Sequence, residues 1–301
     1  MSTIITTMFN GLSLSSIILL ASIGLIITFG LMKVINMAHG EFLMIGAYVT
    51  YLVQLFFQNF LPAAVFDLYY PVALVVSFAV TFLLGCVLEK LVISHLYGRE
   101  VDSLLATWGI SLILMQLART LFGTQGVNVQ APGFLTGGLS IGSVTFSYNR
   151  IFIICLVIAS LIIVSAVLNK SSFGKQMRAV IDNRPIAQSM GINSRRIDCL
   201  TFGFGSALAG LAGCSLALLG SIDSHLGQNY IVQCFITVVL GGVGNLAGVV
   251  IGSLIVGFST IWVQFYTSSN IANAIVMVII IAFLQVKPEG IFSRKSRALD
   301  D

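Results

Sequence analysis

The sequence predicts an all-α polytopic membrane protein with about nine transmembrane helices, eight to ten once short segments are allowed for. Three observations carry that prediction. Only 26 of 301 residues are charged, 9% of the chain, against about 25% in soluble domains. Hydrophobic residues make up 57% and the mean hydropathy is +1.01, which also excludes a disordered chain. The apolar residues fall in runs of about twenty, the length a helix needs to cross the hydrocarbon core. A net charge of +4 is small and calls for no nucleic-acid partner.

Taken in order, the runs are residues 9–31, 41–61, 69–93, 104–122, 150–169, 199–220, 229–241, 246–265 and 271–286. No basic residue precedes Lys33, so the first run reads as a retained span and not as a cleavable leader. The seventh run is short and is followed by Gly241-Gly242, which marks it as a half-helix or re-entrant piece. The five cysteines include no C-x-x-C pair and read as small apolar packing residues.

Charge asymmetry predicts the orientation. With segment 170–198 and the C-terminus in the cytoplasm and the N-terminus outside, thirteen of the fifteen basic residues lie inside, and Arg119 and Arg150 stay outside. Segment 123–149 then becomes an uncharged external loop, rich in Gly, Ser, Thr, Asn and Gln and interrupted by apolar residues such as Val127, Phe134 and Leu139. Such a loop is expected to pack over the outer mouth. Segment 35–41 can be laid on 222–228, with Ile35, Gly40 and Thr50 matching Ile222, Gly227 and Thr237 at one offset. One copy falls inside and the other outside, as in an inverted repeat.

Polar groups at membrane depth require a reason. Asn36, His39 and Glu41 cluster between the first two spans, and Thr107 and Ser111 share a face of the fourth. Gln228 lies in the connection before the seventh span and Asn245 follows a glycine run. These seven are the candidate lining of a translocation pathway, with helix capping as the alternative for Glu41. Gly244, Gly248 and Gly252 recur every fourth residue, as do Gly205, Ala209 and Gly213, a spacing that lets helices approach closely in lipid.

Enzyme signatures are lacking. G-x-S-x-G and H-E-x-x-H are absent, and His39, His95 and His225 are too scattered to ligate a metal. No catalytic residue, cofactor or metal site is expected. The Gly174-Lys175 pair has Asn169 where a phosphate-binding loop needs its first glycine, so ATP hydrolysis would belong to another chain. Within 170–198, Pro185 suits the first position of a helix, with Asn183 or Arg184 as cap, and Gly191 suits its end. Ile186, Ala187 and Met190 give it a short apolar face. A helix this short is unstable alone and needs a groove in this subunit or in a partner.

At this segment the chain resembles a known family. Arg178-Ala179 through Asn183 and Ala187 to Gly191-Ile192-Asn193 is similar to the coupling loop of ABC-importer permeases for branched-chain amino acids and urea. Asn36 to Phe42 with Gly46-Ala47-Tyr48, Gly241 to Asn245 with Gly248, and Pro288-x-Gly290-Ile291-Phe292 resemble further signatures of that family. The resemblance implies one transmembrane permease domain over 1–301, in the bacterial inner membrane, with a cytoplasmic C-terminus and 170–198 as coupling loop. Arg178, Ala179, Pro185, Ala187 and Gly191 would meet the ATPase. The implied partners are a homologous second permease, two cytoplasmic ATPase subunits and an external solute-binding protein. Ala106 to Leu112 and Tyr148-Asn149-Arg150 look like the urea branch, so a permease for urea or a short amide is expected. A pathway of Ser, Thr, Asn and Gln suits that small neutral solute. The alternatives are a branched-chain amino acid importer permease and a passive channel. Asn36-Met37-Ala38 and Asn245-Leu246-Ala247 resemble aquaporin-like tripeptides without their middle proline. A secondary transporter is a further rival, with Glu41 as its coupling carboxylate.

Overall fold

The computed structural model describes residues 2–32, 34–142, 144–287 and 290–292. Among them are eleven α-helices and one two-stranded hairpin. Backbone amides in lipid have no water to bond, and the long apolar runs accordingly become helices: α1 (Ser2–Leu25), α2 (His39–Phe60), α3 (Tyr69–Leu91), α4 (Glu100–Phe122), α5 (Tyr148–Lys170), α8 (Ser194–Ala217), α10 (Leu246–Tyr266) and α11 (Ser269–Val286). These eight are long and apolar enough to cross a membrane. The seventh run is α9 (Leu226–Gly241), 16 residues long and thus about 24 Å. α1 runs on as a π-helical turn, Ile26–Leu31.

α1 and α8 form the buried centre, while α3, α5 and α11 are mostly exposed on their outer faces. Glycine explains how α8 can touch three helices at once. A methyl on Gly205 would stand 2.7 Å from the Gly24 carbonyl oxygen of α1, and one on Gly213 would stand 1.8 Å from the Leu43 carbonyl oxygen of α2. On α3, the side chains of Thr81 and Cys86 lie against Gly210 and Gly203. The four-residue spacing of Gly205, Ala209 and Gly213 is therefore a packing face, and Gly248 packs against Gly241 in the same way. Gly244 serves a turn instead, with φ of +85°.

Two expectations change. Segment 123–149, expected as an external loop, carries strands β1 (Gly138–Ile141) and β2 (Val144–Ser147), paired antiparallel. It is pinned by Val127 bridging Ile222 and by Gln54 accepting a bond from the Gln130 amide. Leu135 and Val144 are buried, whereas Phe134 and Leu139 stay exposed. Segment 170–198 holds two helices where one was expected, α6 (Ser172–Asp182) and α7 (Arg184–Ser189). The signal for α6 was present, because Phe173, Met177 and Val180 follow helical spacing. Lys33, Pro288, Arg294, Lys295 and Arg297, used for orientation or resemblance, lie outside the described residues.

Candidate translocation and coupling sites

The first site forms where the opening turns of α2 and α9 meet. Both helices begin at the same place in the 187-residue offset that relates 35–41 to 222–228, at His39 and at Leu226. A methyl on Gly40 would lie 2.4 Å from the Gly227 carbonyl oxygen, and one on Gly227 would lie 2.6 Å from the Gly40 carbonyl oxygen. The matched glycines thus face each other reciprocally, as they would across a two-fold axis through that contact.

Around this crossing, α4 supplies polar support. Thr107 Oγ1 accepts a bond from the Met37 amide at 3.1 Å and donates to the Ser103 carbonyl at 2.8 Å. Ser111 Oγ donates to Glu41 Oε1 at 2.8 Å. Ser111 stands midway along the 23-residue α4, so Glu41 sits near the middle of the bundle. His39 Nε2 donates to the Ala21 carbonyl at 3.0 Å. Asn36, His39, Glu41, Thr107 and Ser111 are all buried, and the structure brings these five predicted residues together. Several of their atoms are unsatisfied: both polar atoms of the Asn36 side chain, His39 Nδ1 and Glu41 Oε2. Each such group costs about 1–3 kcal/mol.

The other two predicted pathway residues lie elsewhere. Gln228 is half-buried in the first turn of α9 and borders a cavity between α9, α10 and α11. Asn245 caps α10, its Oδ1 accepting from the Gly248 amide at 3.2 Å.

The second site is the α6–α7 pair. Asn183 caps α7 through the Ile186 amide, Pro185 sits in its first turn, and Gly191 follows it with φ of +83°, as the residues predicted. The apolar face is divided, however. Ala187 is only 2% exposed and packs with Met177, Val180 and Ile197, while Ile186 and Met190 are 58% and 77% exposed. The reason is angular: successive helix positions lie about 100° apart, so Ala187 turns inward when Ile186 turns outward. Ala187 therefore belongs to this subunit's own packing, and the free apolar surface is Ile186 with Met190. Arg178 donates to the Leu168 carbonyl and Ala179 is half-buried against the same cluster.

Sequence reasoning missed how α7 is held. Arg184 forms an ion pair with Asp198 of α8, and its guanidinium lies 5.0 Å above the Tyr97 ring, a cation–π contact. Tyr97 donates to Glu89 Oε1 at 3.2 Å. Burial, reinforced by the Asp198 and Glu89 carboxylates, pushes the Tyr97 phenol far above its ordinary range, so it remains a donor. This chain of contacts joins α3, the turn before α4, α7 and α8. Nothing in residue spacing marks it, because its members are as many as 109 residues apart.

At the opposite end, Arg119 lies 2.9 Å from His225 Nε2. Lys90 and Arg99 flank the α7 end, while Arg119 and Arg150 flank the hairpin end.

A family profile described as the branched-chain amino acid transport system permease component matches residues 7–284. The chain belongs to this family. High-affinity branched-chain amino acid transport system permease protein LivH of Escherichia coli K12 is 27% identical over 296 residues, covering 95% of this chain and 94% of that protein. The BraD permease protein of Pseudomonas aeruginosa, named for the same transport, is 28% identical over 291 residues with the same coverage. A probable LivH permease of Methanocaldococcus jannaschii is 28% identical over 289 residues, 92% of this chain and 89% of that protein. No solved structure matches the chain significantly. The permease is thus a transport subunit and not an enzyme.

Proposed function

We propose that this permease is one half of the membrane channel of an ATP-driven importer for branched-chain amino acids, working in the inner membrane with a homologous second permease, two ATPase subunits and an external solute-binding protein. The observation that carries the reading is the family match along nearly the whole chain, with relatives named for that transport in Escherichia coli and Methanocaldococcus jannaschii. It replaces the urea expectation. Among the residues behind that expectation, Trp108 and Tyr148 are exposed, and Thr107 is committed to holding segment 35–37.

In this reading the α6–α7 end is cytoplasmic and the hairpin end faces the solute-binding protein. Ile186 and Met190 are the apolar surface that α7 offers to the ATPase. The crossing of α2 and α9 is the gate. Its unsatisfied polar atoms destabilise the closed arrangement, and separating the two turns would let water or solute satisfy them.

Proteoliposomes carrying both permeases and both ATPases, given the loaded binding protein, are expected to accumulate leucine only with ATP. Uptake of urea in place of leucine would overturn the substrate, and uptake without ATP would point to a passive channel. Separately, Ile186→Asp or Met190→Asp is expected to lower ATP-dependent uptake about tenfold while protein level and thermal midpoint stay near wild type. Wild-type uptake in both variants would remove α7 from the ATPase contact.

A further inference from the structure

A cavity of about 310 Å³ opens between α9, α10 and α11, within the lower range for small-molecule sites. Five carboxamides line it: Gln228, Asn229, Gln233, Asn270 and Asn273. Among the described residues, no charged side chain does. Gln233 Nε2 donates to Asn273 Oδ1 at 3.1 Å, while Gln233 Oε1 is shielded from solvent and has no partner. Apart from Thr260, whose hydroxyl donates to the Val256 carbonyl, the rest of the wall is apolar, chiefly Val232, Ile236, Val256, Val276, Met277 and Ile280.

Chain direction sorts these groups by depth. α9 and α11 both start at the hairpin end, so Gln228, Asn229, Asn270 and Asn273 in their first turns form the mouth. Ile236 and Ile280, two or more turns further on, form the floor together with Val256. A carboxamide at the depth of Gln233, about two turns into α9, is costly against lipid, which argues that this cleft meets something polar. Each carboxamide carries both donors and acceptors. Together they can bond an ammonium and a carboxylate at once, without placing a net charge in the bundle. The aliphatic floor then suits a branched hydrocarbon side chain, against which urea would have nothing to place.

We propose that the α9–α10–α11 cleft is a substrate subsite for a zwitterionic, aliphatic amino acid, with Gln233 and Asn273 holding its polar end and Ile236, Val256 and Ile280 its side chain. The assignment rests on the amino-acid reading given above and locates it in this chain.

The test uses the complete importer with its binding protein. Gln233→Leu and Asn273→Leu remove the polar partners without adding charge and are expected to lower leucine uptake about tenfold. Co-purification with the second permease should stay at the wild-type level, which separates lost uptake from failed assembly. Ile280→Phe narrows the floor and is expected to shift the leucine-to-valine uptake ratio about tenfold toward valine, a ratio that does not depend on expression. Wild-type leucine uptake together with unchanged rates and ratios in all three variants overturns the subsite alone. Co-purification of the second permease that fails in the leucine variants would instead make the cleft a subunit interface, which also overturns it. A wild-type importer that takes up no branched-chain amino acid overturns the subsite and the parent reading together.

Discussion

Replacing Gly213 by alanine is expected to unfold or severely loosen the permease. The added methyl would stand 1.8 Å from the Leu43 carbonyl oxygen and 2.9 Å from the Leu43 Cα. Both atoms are backbone, so no rotamer change can relieve the overlap, and α8 must move away from α2. Overpacking a rigid core costs about 1–3 kcal/mol, occasionally more, and the upper end of that range is expected for a clash between two backbones. Cys214, next along α8, is a fully buried free thiol. With Cys86, Cys155, Cys199 and Cys234 replaced by alanine, its labelling by a maleimide dye during heating reports the opening of this interface. Gly109→Ala on α4 is the control, since a methyl there meets nothing within 4 Å and alanine is the better helix former. A Gly213→Ala midpoint equal to that of Gly109→Ala would show that α8 and α2 do not pack through this residue.

Arg184→Ala is expected to be the second most damaging change, with a different signature. Asp198 is buried, and losing its partner leaves a carboxylate without compensation. Breaking a buried pair costs about 3–5 kcal/mol. Here about 2–3 kcal/mol is expected, because the Arg184 side chain is 37% exposed and solvent screens its share. The stacked Tyr97 ring loses its cation at the same time. The loss should concentrate at the α7 end, so ATP hydrolysis should continue while uptake falls. Arg184→Leu combined with Asp198→Leu removes both charges and is expected to recover more than half of the lost thermal stability without recovering coupling. Full coupling in Arg184→Ala would show that the Glu89–Tyr97–Arg184–Asp198 chain does not transmit motion from α7.

Both predictions concern contacts that residue order alone could not reveal, and the difference has a physical basis. Spans were legible because lipid imposes a length and an apolar composition on each helix separately. The α7 cap was legible because Asn183, Pro185 and Gly191 act on neighbouring backbone. The partition of Ile186 and Ala187 was not, since it depends on where Met177, Val180 and Ile197 stand in space. The polar cluster was half legible. Asn36, His39 and Glu41 share one turn, and Thr107 and Ser111 share one helix face, but only packing brings the two groups together. Asn245 shows the reverse case: a conspicuous asparagine whose oxygen serves a local cap.

By itself, the sequence determined the membrane class, the approximate spans, the capped segment between α5 and α8, and the resemblance to a permease family. Each follows from composition, from local backbone chemistry or from motif. Only the tertiary structure decided that Gly40 meets Gly227, that Arg184 answers Asp198, and that five carboxamides from α9 and α11 share one cleft. Those facts join residues far apart in the chain, and they depend on which helices the close approach of small residues allows to touch.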